Sequence, residues 1–171
     1  VEELTDAGIH ELLMVTSRKK RTLEDHFDHD PQSNTCVKSN VRSGSANCNL
    51  SFVRQGKPLG TGHAILLGEN FTGGEPFLVA YGDTIIQSDH SKSLCACLMD
   101  DHKARNSAAT IAVEMVPRNE VTKYGVIEPG LWEGNVTSVK EIVEKPSAGS
   151  APSQVVVASR AGTTEEGRVG E

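Results

Sequence analysis

Residues 1–27 impose a rhythm that few folds can accommodate. A stretch of helical composition (VEELTDA, 1–7) stops at Gly8, a short apolar run follows (ELLMVT, 11–16), and helical composition returns (TLEDHF, 22–27). An apolar run of six residues rich in branched side chains reads as a buried strand, because a strand covered on both faces has no polar side to show. Helix, glycine stop, buried strand and helix in sequence predict an α/β protein whose strands join a shared sheet. The rest of the chain continues in these terms. Residues 50–54 (LSFVR) alternate like a strand, and 60–67 (GTGHAILL) read as a glycine turn opening a helix. Residues 76–81 (PFLVAY) are the clearest buried strand, stopped by Gly82 and Asp83. Residues 92–105 have helical spacing, with Leu94, Leu98 and Met99 on the inner side. Residues 109–115 form a strand that Pro117 closes. Residues 124–127 and 136–144 form a strand pair joined by a loop holding Pro129, Gly130 and Trp132, and 155–158 make one more strand. Two stretches lack this patterning. Residues 29–49, rich in Ser, Asn and scattered charge, read as a loop or disordered insert inside a domain spanning 1–160. Residues 161–171 read as a disordered tail.

At 171 residues the chain is long enough to bury the core of one domain. Its net charge of −6 argues against a general nucleic-acid binder, which needs a basic face, but leaves a nucleotide substrate open. No apolar run reaches the roughly 20 residues of a membrane span, and no charged-then-apolar leader marks it for secretion, so a cytoplasmic location without membrane association is expected. Cys36, Cys48, Cys95 and Cys97 lack zinc-site spacing and read as thiols in a reducing compartment. His10, His26, His29, His90 and His102 read as surface residues. The chain opens on Val1 in what looks like mid-helix, which suggests that it is part of a longer sequence.

Four short motifs carry chemical possibilities. Asp83 follows an apolar strand and a glycine, at the strand end where α/β sheets gather ligands. It reads either as a Mg²⁺ ligand or as a turn or cap aspartate. Gly60-Thr61-Gly62-His63 precedes an apolar helix, so its backbone can approach a flat base or a phosphate; it serves equally as a plain strand-to-helix turn. Gln55 ends the preceding strand, and a carboxamide that both donates and accepts suits a pyrimidine edge, or simply a wet surface. Glu144-Lys145-Pro146 ends another strand. There a carboxylate can take sugar hydroxyls and an ammonium can neutralise phosphate, or the two can be a solvated ion pair. No nucleophile–base pairing suggests covalent catalysis.

Taken in order, the segments VEELTDAGIHELLMVTSRKKRTLEDHFD, VRQGKPLGTGHAILLG, EPFLVAYGDTII, VPRNEVTKYGVIEPG and IVEKPSAGSAPS resemble the bacterial-type UTP–glucose-1-phosphate uridylyltransferases. The resemblance covers residues 1–28 and 50 to about 160. It implies a three-layer α/β sandwich around a mixed, mostly parallel sheet, related to dinucleotide-binding folds. It implies Gln55 on the uracil, Gly60 and Gly62 against base and ribose, and Asp83 on Mg²⁺ between the phosphates. Gly125 and Glu144 would hold the glucose hydroxyls, and Lys145 would pair with the sugar phosphate. The implied activity makes UDP-glucose and pyrophosphate from UTP and glucose 1-phosphate. Alternatives are a thymidylyl- or other nucleotide-specific transferase, or a non-catalytic UDP-sugar-binding remnant.

The chain also departs from the family pattern. The glycine-rich opening segment that grips the triphosphate, and the later segment with a second metal carboxylate, find no counterpart in it. Pro152-Ser153-Gln154 stands where PSN is usual. The expectation is a central portion with unpaired strand edges, marginally stable and nearly inactive alone; members of the family self-associate, so a homo-oligomer is implied for the full-length protein.

Overall fold

The computed structural model describes residues 1–18, 21–27, 48–82, 84 and 92–158. Asp83, Cys36, His29, His90, most of the 29–49 insert and the 161–171 tail lie outside the described residues. The chain divides into two compact units, Val1–Val79 and Ala80–Glu171.

In the first unit, α1 (Glu2–Asp6) ends at Ala7 and Gly8, whose φ of +85° a glycine adopts without steric cost. Strand β1 (Glu11–Thr16) follows, then α2 (Arg21–Phe27), β2 (Asn49–Arg54), α3 (Thr61–Leu66) and the single turn α4 (Glu69–Thr72). β1 and β2 pair in parallel, Glu11 opposite Asn49 through Thr16 opposite Arg54. Parallel strands need a crossover, and α2 lies within it. Leu12 and Thr16 are the buried residues of β1. The rings of Phe27 and Phe52 meet at 6.5 Å between centroids, tying α2 to β2.

In the second unit, α5 (Leu94–Arg105) starts at Ser93, whose hydroxyl accepts from the Ala96 N–H, and ends at Asn106 in the left-handed conformation. Strands β3 (Val113–Met115), β4 (Gly125–Glu133), β5 (Val136–Glu144) and β6 (Val155–Val157) form an antiparallel sheet in the order β3-β6-β4-β5. Its core is Val116, Val121, Val126, Ala151 and Val156, flanked by Tyr124 and Ala148. Ile127 is equally shut off from solvent.

The expected α/β class with mixed pairing holds. Its parallel part is the β1–β2 pair, and the pairing of the other four strands is antiparallel, so among the described residues the sheet content is not mostly parallel. Residues 76–81, expected as a buried strand, form no ladder, and Phe77 and Tyr81 are 57% and 50% exposed. Apolar composition supplies a strand's motive but not its partner: among the described residues no strand pairs with this segment, and Tyr81 O accepts from the Thr84 N–H in a turn at 3.1 Å. Regular pairing over 109–115 is confined to Val113–Met115. The expected loop around Pro129 is strand instead: β4 runs through it with register shifts on both sides of Pro129, the kind of irregularity at which a strand accommodates proline. The hairpin turns at Gly134-Asn135, and Gly134, at φ +63°, supplies the positive φ that a two-residue turn needs at its first position.

Candidate functional site

Gln55 extends the parallel ladder by one bond, its N–H donating to Thr16 O at 2.8 Å. Beneath it, Arg54 donates to both carboxylate oxygens of Glu24 at 3.2 Å, and the buried Thr16 hydroxyl donates to the same carboxylate at 2.8 Å. This network fastens the carboxyl ends of β1 and β2 to α2. The Gln55 side chain then turns towards the glycine loop. Its Nε2 lies 3.1 Å from Gly60 O and 2.9 Å from His63 Nδ1. Gly60 has φ +94°, so the loop enters α3 through a conformation natural to glycine. A side chain at Gly60 or Gly62 would meet no described neighbour within 4 Å. The structure thus brings Gln55, Gly60 and Gly62 into one local arrangement.

The second unit assembles the other motif. Gly125 opens β4 directly opposite Glu144, the last residue of β5. A Cβ on Gly125 would stand 3.2 Å from Glu144 Oε2, 3.6 Å from Ile142 Cγ2 and 3.8 Å from Val157 Cγ2. Glycine is what leaves that space to the carboxylate. Lys145 follows, its N–H donating to Tyr124 O at 3.0 Å and its ammonium 3.7 Å from Glu144 Oε1. Both side chains are mostly exposed, so this ion pair adds little stability. Lys145 has φ +46°. A side-chain-bearing residue before a proline ordinarily has an extended backbone, so Lys145 stores strain, as functional positions often do. What holds it there comes next in the chain: Pro146 is buried, and Arg118 donates to Ala148 O, Ala151 O and Ser153 O at 2.8 to 3.0 Å.

Sequence reasoning missed His63, which it passed over inside the glycine motif, and Arg118, whose three acceptors are main-chain carbonyls that composition does not reveal. The spacing of Gln55 and His63 across one glycine loop was the available signal for the first. His102, expected as a plain surface residue, is partly buried with its Nδ1 3.2 Å from Thr110 Oγ1. Among the described residues no three His, Cys, Asp or Glu side chains group as a metal site. No described helix is long and apolar enough to cross a membrane.

A glycine loop thus follows the parallel pair of the first unit, and a Gly–Glu–Lys corner stands at the open end of the antiparallel hairpin of the second. The family pattern for nucleotidyl transferases matches residues 1–160, and the chain belongs to that family. It is 36% identical over 168 residues to the UTP–glucose-1-phosphate uridylyltransferase of Bacillus subtilis strain 168, covering 94% of this chain and 56% of that protein. Its fold is similar to that of a UDP-glucose pyrophosphorylase solved with UDP-glucose, with TM-score 0.80 and 38% identity over 92% of this chain and 59% of the other. It is also similar to a UTP-bound enzyme of the same kind from Acinetobacter baumannii, with TM-score 0.81 and 26% identity over the same shares. The chain thus spans somewhat more than half the length of these relatives.

Proposed function

We propose that this chain carries the uracil- and hexose-contacting portion of a UTP–glucose-1-phosphate uridylyltransferase. The observation that carries the reading is the Gly125–Glu144–Lys145 corner, where a glycine yields its side-chain space to a carboxylate beside an ammonium on a strained backbone. In the reaction, a phosphate oxygen of glucose 1-phosphate attacks the α-phosphorus of UTP. A new P–O bond forms as the bond to the bridging oxygen breaks, and pyrophosphate leaves with the electron pair. Such a transfer needs position and charge neutralisation rather than a protein nucleophile.

The residues divide this work. Gln55 accepts a hydrogen bond from the uracil. Gly60 and Gly62, with open space where side chains would project, admit the base and ribose to the backbone. Glu144 accepts from glucose hydroxyls in the space Gly125 leaves, and Lys145 neutralises the sugar phosphate. Asp83 would hold Mg²⁺, which supplies charge neutralisation to the phosphates when bound. Uridylyl rather than thymidylyl transfer is favoured because relatives at 36–38% identity bear the uridylyltransferase name. A cytoplasmic site of action accords with the free thiols of Cys48 and Cys97, which suit a reducing compartment.

The test is titration of the purified chain with UDP-glucose, alongside pyrophosphate release from UTP and glucose 1-phosphate with Mg²⁺. Saturable binding that Glu144→Ala and Lys145→Ala each weaken is the expected result. Wild-type protein that binds no uridine nucleotide would overturn the proposal. Binding without pyrophosphate release would confine it to recognition.

A further inference from the structure

We propose that His63 is a positioning residue that locks the Gln55 carboxamide with its oxygen outward, and thereby sets selection of uracil over cytosine. This rests on the reading of Gln55 as the base-contacting group. The orientation follows from which groups can donate. Gly60 O can only accept, so the Gln55 atom 3.1 Å from it is the amide nitrogen. That same nitrogen lies 2.9 Å from His63 Nδ1. A second N–H aimed at Nδ1 requires a lone pair there, so the imidazole is neutral with its proton on Nε2. Turning the amide over would set its oxygen against the Gly60 carbonyl and the Nδ1 lone pair together. Both N–H groups of Gln55 are therefore engaged inside the loop.

What remains for a ligand is Oε1, which has no partner among the described residues and can only accept. Uracil presents a donor at N3, whereas cytosine presents a lone pair at N3. An amide free to rotate meets N3 of either base by exchanging its oxygen for its nitrogen; an amide held by Gly60 and His63 can accept from the N3–H of uracil but has nothing to donate to the bare N3 of cytosine. Gly60 contributes through its carbonyl, which no substitution removes. His63 is therefore the replaceable half of the lock, and Gln55 and His63 are both partly buried, where such a bond is shielded from competing water.

The experiment compares the wild-type chain with His63→Leu, which keeps apolar bulk without an acceptor, and His63→Asn, whose Oδ1 stands near the place of Nδ1. UTP and CTP are titrated calorimetrically into each. The expected result is that His63→Leu narrows the preference for UTP over CTP by about fivefold to tenfold, the worth of one ordered hydrogen bond, and that His63→Asn restores most of it. Nitrogen-15 spectra of the ligand-free chain should show His63 as the Nε2–H tautomer, with Gln55 side-chain protons slowed in exchange, a signature lost in His63→Leu. An unchanged UTP-to-CTP ratio in His63→Leu, or an Nδ1–H tautomer in the wild type, would overturn the proposal. If wild-type protein binds neither nucleotide, the base-contacting role of Gln55 falls and the selectivity falls with it. The spectra still decide the amide lock on its own, so the two failures are told apart.

Discussion

At residues 55–63 the polar groups are held by side-chain hydrogen bonds on a small unit, where Leu59 and Leu66 are exposed. At residues 124–145 they are held by main-chain register over valines and an isoleucine with no solvent exposure. The first arrangement can be undone by one substitution that leaves the backbone where it is. The second is tied to the stability of the whole sheet, because Gly125 and Glu144 face each other only while β4 and β5 stay paired. The proposed base selection thus sits on a part that tolerates change, and the proposed hexose corner sits on a part that does not.

The largest effect should come from breaking the second region at its centre. Ile127→Ala empties a fully buried position on β4 and should cost about 3 kcal/mol, within the usual range of roughly 2–5 kcal/mol. Urea unfolding followed by the fluorescence of Trp132, the only tryptophan and itself on β4, reads this directly. Gln55→Leu should leave the same transition unmoved. Equal shifts from the two substitutions would erase the contrast between the regions.

Gly125→Ala is a finer cut. The new methyl would press on Glu144 Oε2, but that side chain is mostly exposed and can yield. The expected cost in folding is under about 1 kcal/mol, while affinity for UDP-glucose, measured by calorimetry, drops about tenfold as the carboxylate is displaced. Unchanged affinity would remove Glu144 from the sugar site.

Lys145 permits a test of opposite sign. Replacing it by glycine relieves the positive φ, and after allowing for glycine's freedom in the unfolded chain the protein should gain about 0.5–1 kcal/mol. Lys145→Ala keeps the strain and should gain nothing, although both variants lose the ammonium and should weaken UDP-glucose binding alike. Equal stability of the two would mean that the backbone at this position carries no strain.

The sequence was most readable where local signals and tertiary partners agree. Gly8 stopping α1, the apolar run of β1 and the span of β5 stand where their residues place them, because each carries its own punctuation. Residues 76–81 had the strongest apolar run and no pairing strand among the described residues, which composition cannot report. Pro129 looked like a loop because proline breaks ladders, yet a register shift absorbs it. The corner at 125 and 144 was legible only through resemblance. A residue pair separated by a whole hairpin becomes neighbours through register, and register depends on the turn at Gly134-Asn135 and on the shifts near Pro129. The amide lock lay beyond sequence reasoning for another reason: it depends on a side-chain nitrogen having two acceptors in reach.

The smallest effect is expected from surface charge in the second unit, and it sharpens the contrast by showing how little of that region's stability is electrostatic. Lys92, just before α5, donates to the carboxylate of Asp100. That hydrogen bond raises the ammonium's pKa above its ordinary 10.5; slight desolvation acts the other way, and the charges of Asp100, Cys97 and Asp101 assist. A pKa raised by folding means that the folded protein holds its proton more tightly than the unfolded chain. The resulting stability is present in full below 10.5 and disappears as pH climbs through the folded value. Asp100→Asn should therefore lower the urea midpoint slightly at neutral pH, and the gap between variant and wild type should close only in strongly alkaline solution. Because both side chains of the pair are exposed, added salt should shrink the gap at neutral pH as well. A gap that persists unchanged through alkaline pH and high salt would assign the effect of Asp100 to packing on α5 rather than to its charge.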